Sequence, residues 1–174
     1  MRVCEISHHL SAPLCGLYLA EFGADVVRLE APKGDRMRRI WANSAGYGVP
    51  FAATNRGKRL IQTDLYTDEG MARAKGIIES CDVLITNLKP ATLLRLGIGP
   101  DDARRLNPGI IYLSLTSCGW DAPFRDISLD DGAAQAASGL ALSTGWSESG
   151  PVLIPVQIGA TVSALFGAIA AGAA

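Results

Sequence analysis

Short apolar runs with strand character alternate with helical runs from the N-terminus to Ser117. RVCEIS, DVVRLE, RLIQTDL, DVLITNL and GIIYLSLTS have the length and β-branched content of strands. Between them lies PLCGLYLAEFG, in which Leu14, Leu17, Tyr18 and Phe22 share a helical face before Gly23 closes it. DEGMARAKGIIES, PATLLRLG (Pro first, Gly last) and PDDARRLN supply further helices. Strands joined by helices pair in parallel through right-handed crossovers. The pattern therefore predicts an α/β fold, a mostly parallel Rossmann-like sheet flanked by helices. Ligands bind such sheets beyond the carboxyl ends of the strands. Those ends fall near Ser7–Leu10, Glu30–Pro32, Leu65–Thr67, Asn87–Pro90 and Ser117–Gly119. Ala31 to about Asn55 reads as one long loop, a length that usually signals function.

A chain of 174 residues, 48% hydrophobic and 19% charged, suffices for one domain with its own core. It shows no linker, repeat or low-complexity segment. A net charge of −1 leaves no electrostatic footprint for nucleic acid. Arg36, Arg38 and Arg39 cluster, as do Arg56, Lys58 and Arg59, and such clusters are solvated faces unless a polyanion binds. The four cysteines form no CxxC pair, and no signal-peptide pattern opens the chain. That combination predicts free thiols and a cytoplasmic protein. Cys4, His8, His9 and Cys15 match no zinc spacing, so no metal site is expected. The first strand–helix turn, SHHLSAPLCG, lacks the GxGxxG that brings a backbone against a pyrophosphate, and no Walker A, HExxH or GxSxG sequence occurs.

From Ile158 the chain reads IGATVSALFGAIAAGAA, uncharged and too short for a membrane span. It predicts a buried helix that needs cover on every side, and no membrane partner. With no cap or polar tail after it, the chain is expected to be part of something longer.

LDDGAAQAASG, residues 129–139, sets two carboxylates before a run of small residues. By itself SLDD reads as a capping box, with Ser128 as the cap and Asp131 at the third helical position. Aspartates at a helix start are ordinary dipole partners.

Taken together, SAPLCGLYLAEFGADVVRLEAPKGDRMR, NRGKRLIQTDLYTDEG, CDVLITNLKPATLLRLGIG, LNPGIIYLSLTSCGW and DDGAAQAASGLALSTG resemble, in this order, the family III CoA-transferases. That group includes formyl-CoA:oxalate and carnitine CoA-transferases. The resemblance covers essentially the whole chain and implies that residues 1–174 are the N-terminal part of the large domain. The family's second domain, its glycine-rich loop and its C-terminal return lie outside the chain. It implies a homodimer of interlocked subunits, or a complementing C-terminal chain. Acyl-CoA and a carboxylic acid are the implied substrates, with no tightly bound cofactor.

The family motif D-x-x-x-Q-A-x-x-G aligns Asp131 with Gln135, Ala136 and Gly139, which makes Asp131 the implied nucleophile and leaves Asp130 as a surface cap. In that chemistry the aspartate attacks the thioester to form an acyl–aspartyl anhydride. Returning CoA thiolate then forms an aspartyl-CoA thioester, and the acceptor acid reverses the cycle. Small neighbours leave the carboxylate room.

The implied CoA groove takes His9, Leu10 and Ser11 from the first turn, Leu65 and Tyr66 after the third strand, and Asn87 to Arg95. Asn87 is matched to the pantetheine or ribose and Arg95 to a phosphate. Arg56 and Lys58 are implied as phosphate or structural contacts, and His8 and His9 as turn residues. Ala31 stands where relatives often carry a basic residue, with Lys33 nearby as a substitute. One alternative is an α-methylacyl-CoA racemase, although Asp130 and Ala160 stand where its two acid/base groups would be, so that both are missing. Another is a non-catalytic CoA-binding subunit or remnant.

Overall fold

The computed structural model describes residues 1–42, 48–148 and 150–174. Five strands, β1 (Arg2–Ile6), β2 (Asp25–Glu30), β3 (Arg59–Gln62), β4 (Val83–Thr86) and β5 (Ile111–Ser114), form one sheet in the order β3-β2-β1-β4-β5. Every pairing is parallel. The expected mostly parallel α/β sheet is thus the fold. Val3 aligns with Val26 on one side and Val83 on the other, so β1 is central.

Side chains alternate across the sheet, and both faces are covered, which explains the near-continuous apolar strands. On one face Cys4, Ile6, Val27, Leu29 and Leu84 pack with Ile78 and Ala74 of α3 (Asp68–Ser80), Leu93 of α4 (Pro90–Leu96) and Ala103 of α5 (Pro100–Leu106). On the other, Val3, Val26, Val83 and Ile85 pack with Ala12, Cys15 and Leu19 of α1 (Ser11–Glu21). Ala164, Ala168 and Ala171 of the last helix, α8 (Ile158–Ala173), complete that second layer. A Cβ on Gly167 would lie 3.0 Å from Leu115 and 3.3 Å from Cys15 Sγ, so the glycine permits α8 to lie close against β5 and α1.

The stretch expected as a long loop contains two elements: a 3-10 turn at Arg36–Arg39 and α2 (Val49–Asn55). Both have local causes. Asp35 caps the turn by accepting from Met37 N at 2.8 Å. Pro50 favours the first turn of α2, and the Arg38 guanidinium lies 3.7 Å from the centre of the buried Phe51 ring. Residues 43–47 of that expected loop lie outside the described residues.

Beneath the carboxyl end of β1 lies a buried charge network. Lys58 Nζ donates to Glu5 Oε2 at 2.7 Å, Pro13 O at 2.6 Å and Asn55 Oδ1 at 3.2 Å. Arg28 pairs with Asp35, lies 3.4 Å from Glu5 and donates to Asn55 Oδ1 at 2.5 Å. Two cations face two carboxylates, so the cluster is neutral, as burial of charge requires. Burial pushes the Lys58 ammonium below its ordinary pKa, and Glu5 opposes the shift. Gly16 is needed here because a Cβ would collide with Glu5 Oε2.

α8 is covered on one side. Val162, Leu165, Phe166 and Ile169 are exposed, Phe166 at 68% and Ile169 at 59%. Among the described residues no helix is long and apolar enough to cross a membrane, and α6 (Asp131–Ala137) and α7 (Leu140–Ser143) complete the element order.

Two outcomes follow. Lys58→Met leaves Glu5 buried without its ammonium and should lower the unfolding free energy by about 3–5 kcal/mol in urea denaturation. The 174-residue chain should self-associate through the open face of α8. Light scattering should report species larger than a monomer, and Phe166→Glu with Ile169→Lys should shift them towards the monomer.

Candidate active site

α6 begins two residues later than a Ser128 cap requires. Asp130 occupies the cap, with extended backbone and its Oδ1 accepting from Ala133 N at 2.8 Å. The expected capping box at Ser128 is therefore corrected. With two successive aspartates, the one whose carboxylate reaches back to the third helical amide becomes the cap. Asp130 is exposed and, as expected, a surface cap. Asp131 becomes the first residue of the helix and is free to point elsewhere.

It points at the start of α8. Asp131 Oδ2 accepts from Ile158 N at 3.1 Å and Oδ1 from Ala160 N at 3.1 Å. Oδ2 also accepts from Gln135 Nε2 at 2.9 Å, one helical turn along α6. Gln135 is 3% exposed and spans to the segment before α8. Its Nε2 donates to Ile154 O at 3.1 Å, and its Oε1 accepts from Ile154 N at 2.8 Å. The small residues have a geometric reason. A Cβ on Gly159 would lie 3.1 Å from Asp131 Oδ1, and one on Gly132 would lie 3.3 Å from Leu153. The carboxylate thus rests on backbone amides at the positive end of a 16-residue helix. The sequence reading missed Ile158 and Gly159, whose contribution is backbone, and left Gln135 without a role. A glycine at the head of an apolar helix was the available signal.

At the sheet's carboxyl end, Asn87 joins β4 to the first turn. Its Oδ1 accepts from His8 N at 3.0 Å and lies 3.0 Å from His8 Nδ1. Its Nδ2 donates to His8 O at 2.7 Å and to Ser11 Oγ at 3.2 Å. Because Oδ1 can only accept, His8 carries its proton on Nδ1. Partial loss of water around the ring lowers the His8 pKa, and the Asn87 bond opposes the shift, while the residue as a whole stays exposed. His9 has φ +60°, a left-handed conformation that Asn87 helps hold at its neighbour. The structure thus brings Asn87, Ser11, His9 and Leu10 together and occupies the Asn87 amide within the protein. Arg95, exposed in the last turn of α4, sits with its guanidinium 5.9 Å from the Tyr66 ring centre. Leu65 beside it is half-buried against the core.

Two basic residues lie elsewhere. All three Lys58 protons serve the buried network, so its ammonium is a structural contact with no donor left for a phosphate. Arg56 pairs on the surface with Glu21, its Nε donating at 2.8 Å. Lys33 and Ala31 are exposed. A cleft of about 430 Å³ between α4, α5 and β5, lined in part by Leu94, Arg104, Tyr112 and Trp120, does not include Asp131. Among the described residues no group of three or more His, Cys, Asp or Glu is placed to hold a metal ion.

The arrangement at Asp131 is a half-buried carboxylate whose bonding partners are all N–H donors. Such a group suits nucleophilic attack followed by stabilisation of negative charge on its own oxygens.

The whole chain, residues 1–174, matches the family model for CoA-transferase family III. It is 34% identical over 174 residues to the succinyl-CoA–D-citramalate CoA-transferase of Chloroflexus aurantiacus, covering 98% of this chain and 43% of that protein. It is 35% identical over 154 residues to the beta subunit of that organism's succinyl-CoA–L-malate CoA-transferase, covering 87% and 38%. Among solved structures, a CAIB/BAIF family protein from Brucella suis superposes with a TM-score of 0.93 at 31% identity, covering 99% of this chain and 47% of that one. The chain spans less than half the length of these relatives. Sequence similarity, superposition and family match agree: the chain belongs to CoA-transferase family III.

Proposed function

We propose that this chain supplies the nucleophilic aspartate of an enzyme that transfers CoA from an acyl-CoA donor to a carboxylic acid. The observation that carries the reading is the grip on Asp131: both carboxylate oxygens are held by N–H donors where α6 meets the start of α8. Asp131 attacks the donor thioester, CoA thiolate leaves, and an acyl–aspartyl anhydride forms. The thiolate attacks the aspartyl carbon, releasing the donor's acid and forming an aspartyl-CoA thioester. The acceptor carboxylate attacks that thioester, and CoA thiolate then takes the new acyl group, restoring Asp131.

Arg95 beside Tyr66, with the first turn of His9, Leu10 and Ser11, is proposed as the CoA groove. Asn87 shapes that turn from behind. No tightly bound cofactor is needed by this cycle. Residues 1–174 are proposed as the N-terminal part of the large domain of a longer enzyme, working as an interlocked homodimer or with a complementing chain. A relative named as a beta subunit is consistent with work alongside a partner chain. The four free cysteines support a cytoplasmic setting. Racemisation is less well supported. It needs a base on each face of the substrate, yet Asp130 serves as a helix cap and Ala160 contributes only its amide.

Relatives named for succinyl-CoA make that thioester the first donor to try. In an exchange assay on the complete enzyme, Asp131→Asn should lose about 10⁴-fold or more, since an amide is a poor nucleophile. Asp130→Asn should stay within about threefold, because asparagine caps a helix as well as aspartate does. Equal loss from both variants would reverse the assignment. Arg95→Ala should weaken CoA binding about two- to fivefold in calorimetry, as expected for an exposed ion pair. That difference should shrink at high salt. Unchanged affinity at both ionic strengths would make Arg95 a surface residue.

A further inference from the structure

The two oxygens of Asp131 are held unequally. Oδ1 has a single donor, Ala160 N, whereas Oδ2 has Gln135 Nε2 and Ile158 N. Ile158 N is shared with Val156 O, which leaves the Gln135 amide as the dedicated donor. The amide's orientation is fixed: Ile154 N requires an acceptor and Ile154 O a donor, so Oε1 and Nε2 cannot exchange places. One Nε2 proton therefore goes to Ile154 O and the other to Asp131 Oδ2.

Resting on the reading of Asp131 as the acyl carrier, we infer that Oδ1 is the attacking oxygen and Oδ2 the retained one. Gln135 Nε2, with Ile158 N, then forms the oxyanion site for the steps at the aspartyl carbon. An oxygen that becomes the bridge of an anhydride loses most of its power to accept hydrogen bonds. Using Oδ1 gives up the Ala160 amide at the helix start; using Oδ2 would strand the buried Gln135 proton, which has no other acceptor, and leave Ile158 N with Val156 O alone. Once Oδ1 is the bridge, Oδ2 is the carbonyl oxygen of the anhydride. When CoA thiolate adds to the aspartyl carbon, the carbon–oxygen π electrons move onto Oδ2, which becomes the oxyanion. Its collapse expels the donor's carboxylate together with Oδ1 and leaves the aspartyl thioester. The acceptor carboxylate adds to the same carbon through the same oxyanion, expels CoA thiolate, and supplies the oxygen that becomes the new Oδ1. Gln135 and Ile158 meet charge that develops only in these two steps. Attack on the donor or product acyl carbon puts its oxyanion elsewhere.

The mechanism predicts an isotope pattern. Each turnover replaces Oδ1 with an oxygen from the acceptor and keeps Oδ2. The complete enzyme would be turned over many times with succinyl-CoA and oxygen-18 succinate, and the peptide containing Asp131 weighed by mass spectrometry. A plateau at one heavy oxygen in Asp131 is expected. Progression to two means that the carboxylate turns over between cycles and Oδ2 is not held, which overturns the inference but leaves Asp131 as the carrier. No heavy oxygen in Asp131 while succinyl-CoA exchanges overturns the carrier reading and the inference with it. Gln135→Met keeps the side-chain length and removes the donor. It should lower exchange about 10²–10³-fold and raise the share of succinyl-CoA lost to hydrolysis, because the anhydride still forms but is slowly taken on to the thioester. Equal loss of exchange and hydrolysis would mark Gln135 as a residue that only supports the fold.

Discussion

One carboxylate joins the start of α6 to the start of α8, and the rest of the site depends on that junction. α8 is placed by its alanines and Gly167 against α1 and β5. Its position fixes where the amides of Ile158 and Ala160 point, and those amides hold Asp131. The carboxylate in turn closes the gap between α6 and the helix that lies on the core. Removing bulk from residues 132–134 and from Gly159 lets side chain and backbone meet at hydrogen-bond distance. The small residues at 132 and 159 are a requirement of that contact.

A second constraint acts at the carboxyl end of the sheet. Glu5 and Arg28 lie side by side on neighbouring strands and are both fully buried. Lys58 and Asp35 neutralise them from the segments that follow β2 and α2. Burying four charges is costly unless each is paired, so the network admits few alternative arrangements. It pins Pro13 and Asn55 to the floor of the first turn. Above it Asn87 holds His8 and Ser11. Together they fix the turn that presents His9, Leu10 and Ser11.

The sheet was legible because buried parallel strands and amphipathic helices leave strong patterns, as RVCEI and DVVRLE show. Asp131 was legible through a motif. Its setting was not, because the partners are amides of Ile158 and Ala160, which sequence does not mark. Ser128 was misread as the cap because serine and aspartate compete there and only geometry decides between them. Lys58 stayed open between a phosphate and a structural contact because its partner Glu5 lies far away in sequence and inside a strand. Asn87 reads as a ligand donor until its four contacts are counted within the protein. The helix at Val49–Asn55 was hidden by its shortness and by the polar residues around it.

Asp131 as the covalent carrier is the claim that everything else serves. The most direct measurement is to trap the intermediate. The complete enzyme would be incubated with succinyl-CoA and reduced with borohydride, and the modified residue located by tandem mass spectrometry. Reduction of an aspartyl thioester converts the side chain to an alcohol, and the account places that change at Asp131. Modification at Asp130, or an unmodified Asp131 in enzyme shown to be exchanging CoA, would contradict it.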